Sequence, residues 1–168
     1  MLVNIKTMKT DKQKEIRVAV SGGFDPIHKG HVRLFKHAQA LGDKLVVIIN
    51  NDNWLIKKKG YFFMTEKERK EVIEAIRYVD KVVITRHKLN PDDMSVCDAL
   101  REVMPDIFAN GGDRKRDNVP EVALCNKLGI KLAFNVGEGG KVQSSSSLVD
   151  KAMKVAPRKV VVNIKSKK

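Results

Sequence analysis

The sequence predicts one open α/β domain in which five parallel strands form a sheet that is covered by helices on both faces. Short apolar runs typical of buried strands alternate along the chain with longer segments of helical periodicity. The apolar runs lack the in–out alternation of a half-exposed sheet, which favours strands buried on both faces. With 168 residues, of which 42% are hydrophobic, the chain can form a single core. We therefore expect a folded domain over residues 16–156, between a basic N-terminal tail (1–15) and a basic C-terminal tail (157–168).

The predicted strands and helices follow from local signals in chain order. Strands are predicted over residues 16–21, 44–50, 81–85, 106–110 and 131–136. Helices are predicted over about 27–41, 65–78, 94–103, 120–128 and 144–155. Thr65 and Glu68 form a capping box that begins the second helix, and Gly42 ends the first. Residues 51–60, which are polar and rich in lysine, are predicted as a loop. This alternation is that of a Rossmann-like sheet, whose strands all end at one edge.

The charge of the chain indicates polyanionic ligands. Lys and Arg total 33 against 20 Asp and Glu, which gives a net charge of +13. A charge of this sign favours nucleotides, phosphorylated substrates, nucleic acid or an anionic membrane surface. No apolar run approaches the ~20 residues of a membrane span, and the first residues lack the apolar block of a secretory signal. We therefore expect a cytoplasmic protein, in which Cys97 and Cys125 are reduced and mostly buried.

The junction between the first strand and the first helix carries the most specific pattern in the chain. Gly22 and Gly23 permit a tight turn and a close approach of the backbone to a ligand. His28 and His31 are three residues apart, so they share a face of the first helical turn, and Gly30 between them leaves room for a bulky group. A helix N-terminus favours phosphate, and two imidazoles there can donate hydrogen bonds to phosphate oxygens. The pattern therefore predicts a phosphate-binding site at this junction.

The same segment, Gly-Gly-Phe-Asp-Pro-Ile-His-Lys-Gly-His over residues 22–31, resembles the signature of the HxGH nucleotidyltransferase superfamily. That group includes glycerol-phosphate cytidylyltransferases and heptose-phosphate adenylyltransferases. The resemblance implies that His28 and His31 contact the triphosphate and stabilise the transition state. It also implies that Phe24 and Asp25 belong to the nucleotide site, together with the three glycines of the motif.

The resemblance extends to three later segments. After the second strand it implies phosphate contacts from three lysines, with Lys58 in a catalytic role beside Lys57 and Lys59. After the fourth strand it implies nucleotide contacts from Gly112, Asp113 and Arg114. A serine-rich helix start is expected to bind the leaving phosphates through Ser144, Ser145, Ser146 and Ser147.

By this resemblance the chain transfers CMP from CTP to a small phosphorylated alcohol or sugar and releases pyrophosphate. An adenylyltransferase that uses ATP on a sugar phosphate or a similar acceptor is the alternative, because the Arg-Thr pair usual in cytidylyltransferases is missing around Gly139 to Lys141. A phosphate monoester is already anionic near neutral pH, so catalysis needs positioning and charge stabilisation rather than a general base. Mg²⁺ is expected to bind mainly through the nucleotide phosphates, with few protein ligands.

Two alternatives come from other classes of protein. The net charge of +13 fits a basic nucleic-acid-binding protein, but aromatic residues make up only 5% of the chain and are not interleaved with the basic ones. A nucleotide-binding sensor that has lost catalysis is disfavoured by the intact pair of His28 and His31. Members of the family are commonly dimeric, so the resemblance also implies a homodimer.

Overall fold

The computed structural model describes residues 14–111, 119–137 and 143–154. Within these ranges, five strands alternate with helices, as the sequence predicts. The strands are β1 (Arg17–Gly22), β2 (Lys44–Ile49), β3 (Lys81–Ile84), β4 (Ile107–Ala109) and β5 (Lys131–Ala133). The helices are α1 (Lys29–Gln39), α2 (Asp52–Lys59), α3 (Glu66–Glu74), α4 (Cys97–Val103), α5 (Val122–Leu128) and α6 (Ser145–Lys154).

The strands form one parallel sheet in the order β3-β2-β1-β4-β5, which confirms the predicted Rossmann-like fold class. β1 is central and pairs with β2 over its whole length, with Gly22 opposite Ile49. The chain order reverses at β1, because β2 lies on one side of it and β4 on the other. In open sheets of this type, ligands bind outside the carboxyl ends of the strands at this switch point. The topology therefore directs attention to the residues that follow β1.

Each face of the sheet has its own hydrophobic core, because successive side chains of a strand point to opposite faces. On one face, Val18 and Val20 of β1 pack with Phe35 of α1 and Ile73 of α3. On the other face, Ala19 packs with residues of β2, α4 and α5, among them Ile48, Leu100 and Cys125. The continuous apolar runs are thus explained by burial on both sides. Cys125 is buried and Cys97 is half-buried, and both are free thiols.

Aspartates immediately before three strands fix the neighbouring strands at the amino edge of the sheet. Asp43, before β2, accepts a hydrogen bond from the Ile16 N–H at 2.7 Å. Asp80, before β3, accepts one from the Leu45 N–H of β2 at 2.8 Å. Asp106, before β4, does the same for a residue of β1. These bonds satisfy strand-end donors that have no ladder partner, and they tie each of these strands to its neighbour at the amino edge of the sheet.

One part of the prediction was wrong: residues 51–60 contain helix α2 rather than a loop. The side chain of Asn51 accepts a hydrogen bond from the Trp54 N–H, and Gly60 ends the helix with φ of 83°. These are an N-cap and a left-handed C-cap, the two ends that helices favour most. Leu55 is fully buried and attaches the helix to the core. The polar composition of the segment concealed a helix that is short and has only a narrow buried face.

The remaining differences from the prediction concern the ends of strands and helices. β5 ends at Ala133 rather than at Val136. α3 ends at Glu74 rather than near Tyr78, and α4 begins at Cys97 rather than near Met94. Residues 1–13 and 157–168 of the two predicted tails lie outside the described residues. Within the described ranges, no helix is long and apolar enough to cross a membrane.

Arg69 of α3 joins the carboxyl ends of β1 and β2 to helix α2. Its side chain is 1% exposed, and one guanidinium nitrogen donates to the carbonyl oxygens of Gly23 at 2.8 Å and Asn50 at 2.7 Å. Its Nε donates to the Met64 carbonyl at 3.0 Å, and its other terminal nitrogen pairs with the Asp52 carboxylate at 2.6 Å. A guanidinium suits this position because its donors form a planar fork that stays charged when buried.

Replacing Arg69 with Met is expected to lower the free energy of unfolding by about 3–5 kcal/mol, the usual cost of removing one member of a buried ion pair. The variant would leave three backbone carbonyls without a donor and the Asp52 carboxylate without its cation. Arg69→Lys keeps the charge but not the fork, so its loss should be intermediate. Urea denaturation followed by circular dichroism measures the difference.

The matched control for this measurement is Arg86→Met. The Arg86 side chain is 82% exposed and pairs with Glu102 at 3.0 Å on the surface. Such a pair contributes less than about 1 kcal/mol. If Arg69→Met loses no more stability than Arg86→Met, the organising role of Arg69 is refuted.

Candidate active site

The structure brings the first predicted motif together with the start of the last helix at the carboxyl edge of the sheet. The hydroxyl of Ser145 donates to the carbonyl oxygen of Pro26 at 2.9 Å, across 119 residues of sequence. Lys59, at the end of α2, donates to the carbonyl oxygen of Asp25 at 3.1 Å. Three separate segments of the chain therefore meet at the turn between β1 and α1.

His28 and His31 form a stacked pair at the N-terminus of α1. Their ring centroids are 3.6 Å apart and the ring planes differ by 20°. His28 is the N-cap of the helix, and the ring of Phe24 supports His31 from the side with centroids 5.0 Å apart. The predicted sharing of one face is thus realised as direct contact between the two rings.

Backbone hydrogen bonds determine which nitrogen of each histidine carries the proton. The Gly30 N–H donates to Nδ1 of His28 at 3.1 Å, and the His28 N–H donates to Nδ1 of His31 at 3.3 Å. An Nδ1 that accepts a hydrogen bond bears no proton, so each neutral ring carries its proton on Nε2. Both imidazoles therefore present one N–H donor away from their own helix backbone.

Burial favours the uncharged form of both imidazoles. It lowers the pKa of His28 below its ordinary value of 6.5. Burial, together with repulsion from His28 and Lys59, lowers the pKa of His31 to about 3. Two neutral imidazoles can then each donate one N–H to an anionic phosphate at the N-terminus of α1.

The glycines of the motif make room for aromatic and apolar side chains of the protein itself. A Cβ on Gly22 would lie 2.9 Å from the ring of Phe24, and one on Gly23 would lie 2.8 Å from Leu55. A Cβ on Gly30 would lie 3.0 Å from Cε1 of His28. The bulky group expected beside Gly30 is therefore the His28 ring. Phe24, which was expected to belong to the nucleotide site, has its side chain in the core with 5% exposure.

Asp25 organises the loop between α2 and α3. Its carboxylate is 1% exposed and accepts hydrogen bonds from the N–H groups of Phe63 and Met64, each at 2.7 Å. Both oxygens are thus engaged by backbone donors. Asp25 was expected to bind the nucleotide. In the structure its carboxylate instead holds a neighbouring loop against the motif, and a contact with the nucleotide stays a prediction.

The three lysines of α2 point to different surroundings, because successive residues of a helix are about 100° apart. Lys57 bonds to Asn90 at 2.6 Å and Lys58 is exposed, whereas Lys59 is half-buried beside Asp25. Burial lowers the pKa of Lys59; the charge of Asp25 opposes this shift and that of Arg69 adds to it. Of the three lysines, Lys59 is therefore the one that contacts the motif carrying the histidine pair. The catalytic role of Lys58 stays a prediction.

The serine-rich segment forms a capped helix start, as expected. The Ser144 hydroxyl accepts from the Ser147 N–H at 3.1 Å, and the Ser144 carbonyl accepts from the Leu148 N–H at 3.2 Å. Ser144 is thus the cap, Ser145 contacts Pro26, and Ser146 is exposed in the first turn. Gly112, Asp113 and Arg114 lie outside the described residues.

Sequence reasoning missed two residues of this region, Arg69 and Asn110. Arg69 lies four and seven residues before Ile73 and Ile76, on the face of α3 that packs against the core. A charged residue on this otherwise apolar helix face is the signal that could have identified it. Asn110 follows β4, is 3% exposed, and its Nδ2 has no hydrogen-bond partner among the described residues. Nothing in the sequence distinguishes Asn110 from an ordinary strand-end asparagine.

We expect the His31 ring to remain neutral, with its proton on Nε2, between about pH 5 and pH 8. Its pKa in the folded protein is about 3, whereas an unfolded histidine titrates near 6.5. As the pH falls from about 6.5 towards 3, the unfolded chain therefore binds the proton first and the fold loses stability.

Long-range ¹⁵N–¹H correlation spectra measure this protonation state directly, and the spectrum of His31→Asn identifies the resonances. Flat Nδ1 and Nε2 shifts over that pH range, in the pattern of an Nε2–H tautomer, are the expected result. A titration of the His31 ring near pH 6.5 would contradict the structure.

Comparison with known proteins identifies the family of the chain. Residues 19–166 match the family model described as cytidylyltransferase-like. The chain is 44% identical to the FAD synthase of Pyrococcus horikoshii over 120 residues, which cover 71% of this chain and 73% of that protein. It is 35% identical to the bifunctional protein HldE of Gluconobacter oxydans over 143 residues, which cover 83% of this chain but 28% of that longer protein.

A solved structure shares the fold. It is the crystal structure of the lipopolysaccharide core biosynthesis protein from Thermoplasma volcanium, with a TM-score of 0.60 and 31% sequence identity over 72% of this chain and 94% of that one. The family match, the relatives and the parallel sheet agree with the resemblance seen in the His-x-Gly-His motif. The chain therefore belongs to the cytidylyltransferase-like family of nucleotidyltransferases.

Proposed function

We propose that the chain is an adenylyltransferase that transfers AMP from ATP to a phosphate monoester and releases pyrophosphate. The observation that carries nucleotidyl transfer is the stacked pair of His28 and His31, each with its Nδ1 held by a backbone N–H. The pair supplies two fixed Nε2–H donors at a helix N-terminus, where a triphosphate binds well.

In the proposed reaction an oxygen of the acceptor phosphate attacks the α-phosphorus of the nucleotide. A bond forms between that oxygen and phosphorus while the bond from the α-phosphorus to the bridging oxygen of the β-phosphate breaks, and pyrophosphate leaves. The acceptor is already anionic, so no base has to remove a proton. The protein contributes preorganised donors for the charge on the phosphates, which is the largest catalytic effect in reactions of this kind.

Lys59 and the start of α6 complete the proposed phosphate site. Lys59 is half-buried and bonded to the Asp25 carbonyl, so we assign to it the phosphate contact that the sequence predicted for the lysine segment. Ser145 is bonded to Pro26, which brings the first turn of α6 beside the motif. Hydroxyl and N–H groups of that turn are suited to the leaving phosphates.

The choice of ATP rests on the relatives. FAD consists of AMP joined to flavin mononucleotide through a pyrophosphate, so a nucleotidyltransferase that makes it uses ATP. The 44% identity to such a relative supports ATP here. The sequence favoured CTP, and the cytidylyltransferase-like description of the family keeps CTP as the second candidate.

Mg²⁺ is proposed to enter with the nucleotide and to neutralise charge on its phosphates. Among the described residues no group of three or more His, Cys, Asp or Glu side chains could hold a metal ion. The carboxylate of Asp25, which lies in the motif, is already engaged by two N–H groups. The triphosphate is therefore the main ligand in this proposal.

Removing the Nε2–H donors should reduce turnover while the fold survives. His28→Ala and His31→Ala are each expected to lower kcat by about 10²–10³, the usual effect of deleting one preorganised donor. His28→Asn is the sharper variant, because its side-chain oxygen can still cap α1 while the Nε2–H is lost. Pyrophosphate release measures the rate.

The control is His37→Ala, since His37 lies in the last turn of the same helix. That variant should retain the wild-type rate, and circular dichroism should show a folded protein in every case. Wild-type rates in His28→Asn and His31→Ala would overturn the assignment.

The nucleotide and acceptor can be determined in one panel. Pyrophosphate release is measured with ATP, CTP, GTP and UTP against flavin mononucleotide, a heptose phosphate and glycerol phosphate. We expect release with ATP, and product formation confirmed by mass spectrometry. Release with CTP but not with ATP would make CTP the nucleotide. If the folded protein releases no pyrophosphate with any combination of nucleotide and acceptor, the proposed function is refuted.

A further inference from the structure

The loop between α2 and α3 exposes three consecutive aromatic side chains. Tyr61 is 39% exposed, Phe62 38% and Phe63 60%. The chain contains only six Phe, two Tyr and one Trp, so this loop concentrates a scarce residue type on the surface. Single exposed apolar side chains are normal on a protein surface and need no explanation. Several that lie side by side form a patch, and such patches mark interaction sites.

This aromatic loop, residues 61–63, is fixed to the reaction site at both ends. Before it, Lys59 donates to the carbonyl oxygen of Asp25 at 3.1 Å. At its end, the N–H groups of Phe63 and Met64 donate to the carboxylate of the same Asp25, each at 2.7 Å. Asp25 is 1% exposed and precedes His28 by three residues. The loop is therefore held beside the histidine pair and is not a remote surface feature.

These bonds use the backbone of the loop, and its aromatic side chains stay partly exposed. Phe63 is anchored through its N–H although its ring is the most exposed of the three. Arg69 adds a second anchor, because its Nε donates to the carbonyl of Met64 at 3.0 Å. A hydrogen-bonded backbone that presents exposed rings beside the proposed phosphate site is suited to hold a ligand with a flat face.

We propose that the aromatic loop is the acceptor wall of the active site and that it selects a phosphate monoester with a planar heteroaromatic ring system. This inference rests on the proposed function. The rings offer stacking to a planar group, and the basic residues at the end of α2 offer positive charge to its phosphate. A sugar phosphate or glycerol phosphate has the phosphate but no flat face for the rings.

A second copy of the chain is the other occupant that such rings could take. The acceptor is favoured for two reasons. The loop is bonded to Asp25, three residues before His28, so it lies near the histidine pair. It is also flanked by the cation Lys59, which attracts an anionic acceptor but repels a second chain of net charge +13. Like charges on two copies oppose their approach.

The test compares Phe62→Ser/Phe63→Ser with wild type in pyrophosphate release, using ATP and flavin mononucleotide as the probe acceptor. The KM for flavin mononucleotide should rise about 10- to 100-fold, the loss expected from deleting one stacking contact or two. The KM for ATP should change little. The conservative variant Phe62→Tyr/Phe63→Tyr keeps the rings and should restore most of the affinity.

The matched control is Leu89→Ser, which removes another surface hydrophobic side chain, 77% exposed, from a different loop. It should leave both KM values unchanged. Fluorescence anisotropy of flavin mononucleotide, titrated with the same proteins, gives the affinity without turnover. The flavin should bind to wild type and much more weakly to the double Ser variant.

The outcomes separate this inference from the proposed function. One outcome is that the double Ser variant releases pyrophosphate with an unchanged KM for flavin mononucleotide. That result overturns the role of the aromatic loop in binding the acceptor, but it does not contradict nucleotidyl transfer. The same holds if wild type accepts only sugar or glycerol phosphate. If the Ser variant instead changes from dimer to monomer in light scattering with KM unchanged, the rings bind a second copy. No release with any acceptor refutes the proposed function itself.

Discussion

The buried guanidinium of Arg69 is the interaction on which the geometry of this site depends. The buried Arg69 side chain meets three acceptors: a backbone carbonyl at the carboxyl end of each of β1 and β2, and a carboxylate at the start of α2. One planar cation satisfies Gly23, Asn50 and Asp52 together. Burying a charge is costly unless its donors are used, and here four bonds use them. The two strand ends and the helix are thereby held in one fixed arrangement, and the turn that carries the histidines begins from it.

The histidine pair shows how a backbone can set the chemistry of side chains. Because Nδ1 of each ring accepts a backbone N–H, the tautomer of both imidazoles is determined by the conformation of a single helical turn. The buried carboxylate of Asp25, three residues earlier, connects this turn to the aromatic loop. A phosphate group and the body of the acceptor would thus be positioned by segments that share one anchor. This arrangement limits the movement of the phosphate group relative to the acceptor. A reaction whose rate depends on positioning needs such a limit.

The sheet could be predicted because its signals are local and repeated. Runs such as 45–49 are apolar without alternation, and helices with caps separate them, so five parallel strands followed from the pattern. Helix α2 could not be predicted in the same way. It has eight residues and one fully buried side chain, Leu55, so its stability comes from caps and from contacts with the rest of the fold. Short helices of that kind leave a weak signal in the sequence.

The sequence by itself determined the fold class, the edge of the sheet where the site lies, and the two histidines that share a helical face. Those features follow from strand burial and helical spacing, which are set by residues close together in the chain. Only the tertiary structure decided that Phe24 and Asp25 support the site from behind, that Lys59 is the lysine turned towards the motif, and that Arg69 binds the strand ends. Each of these depends on partners 7 to 46 residues away in sequence, and such contacts exist only once the chain has closed around its core.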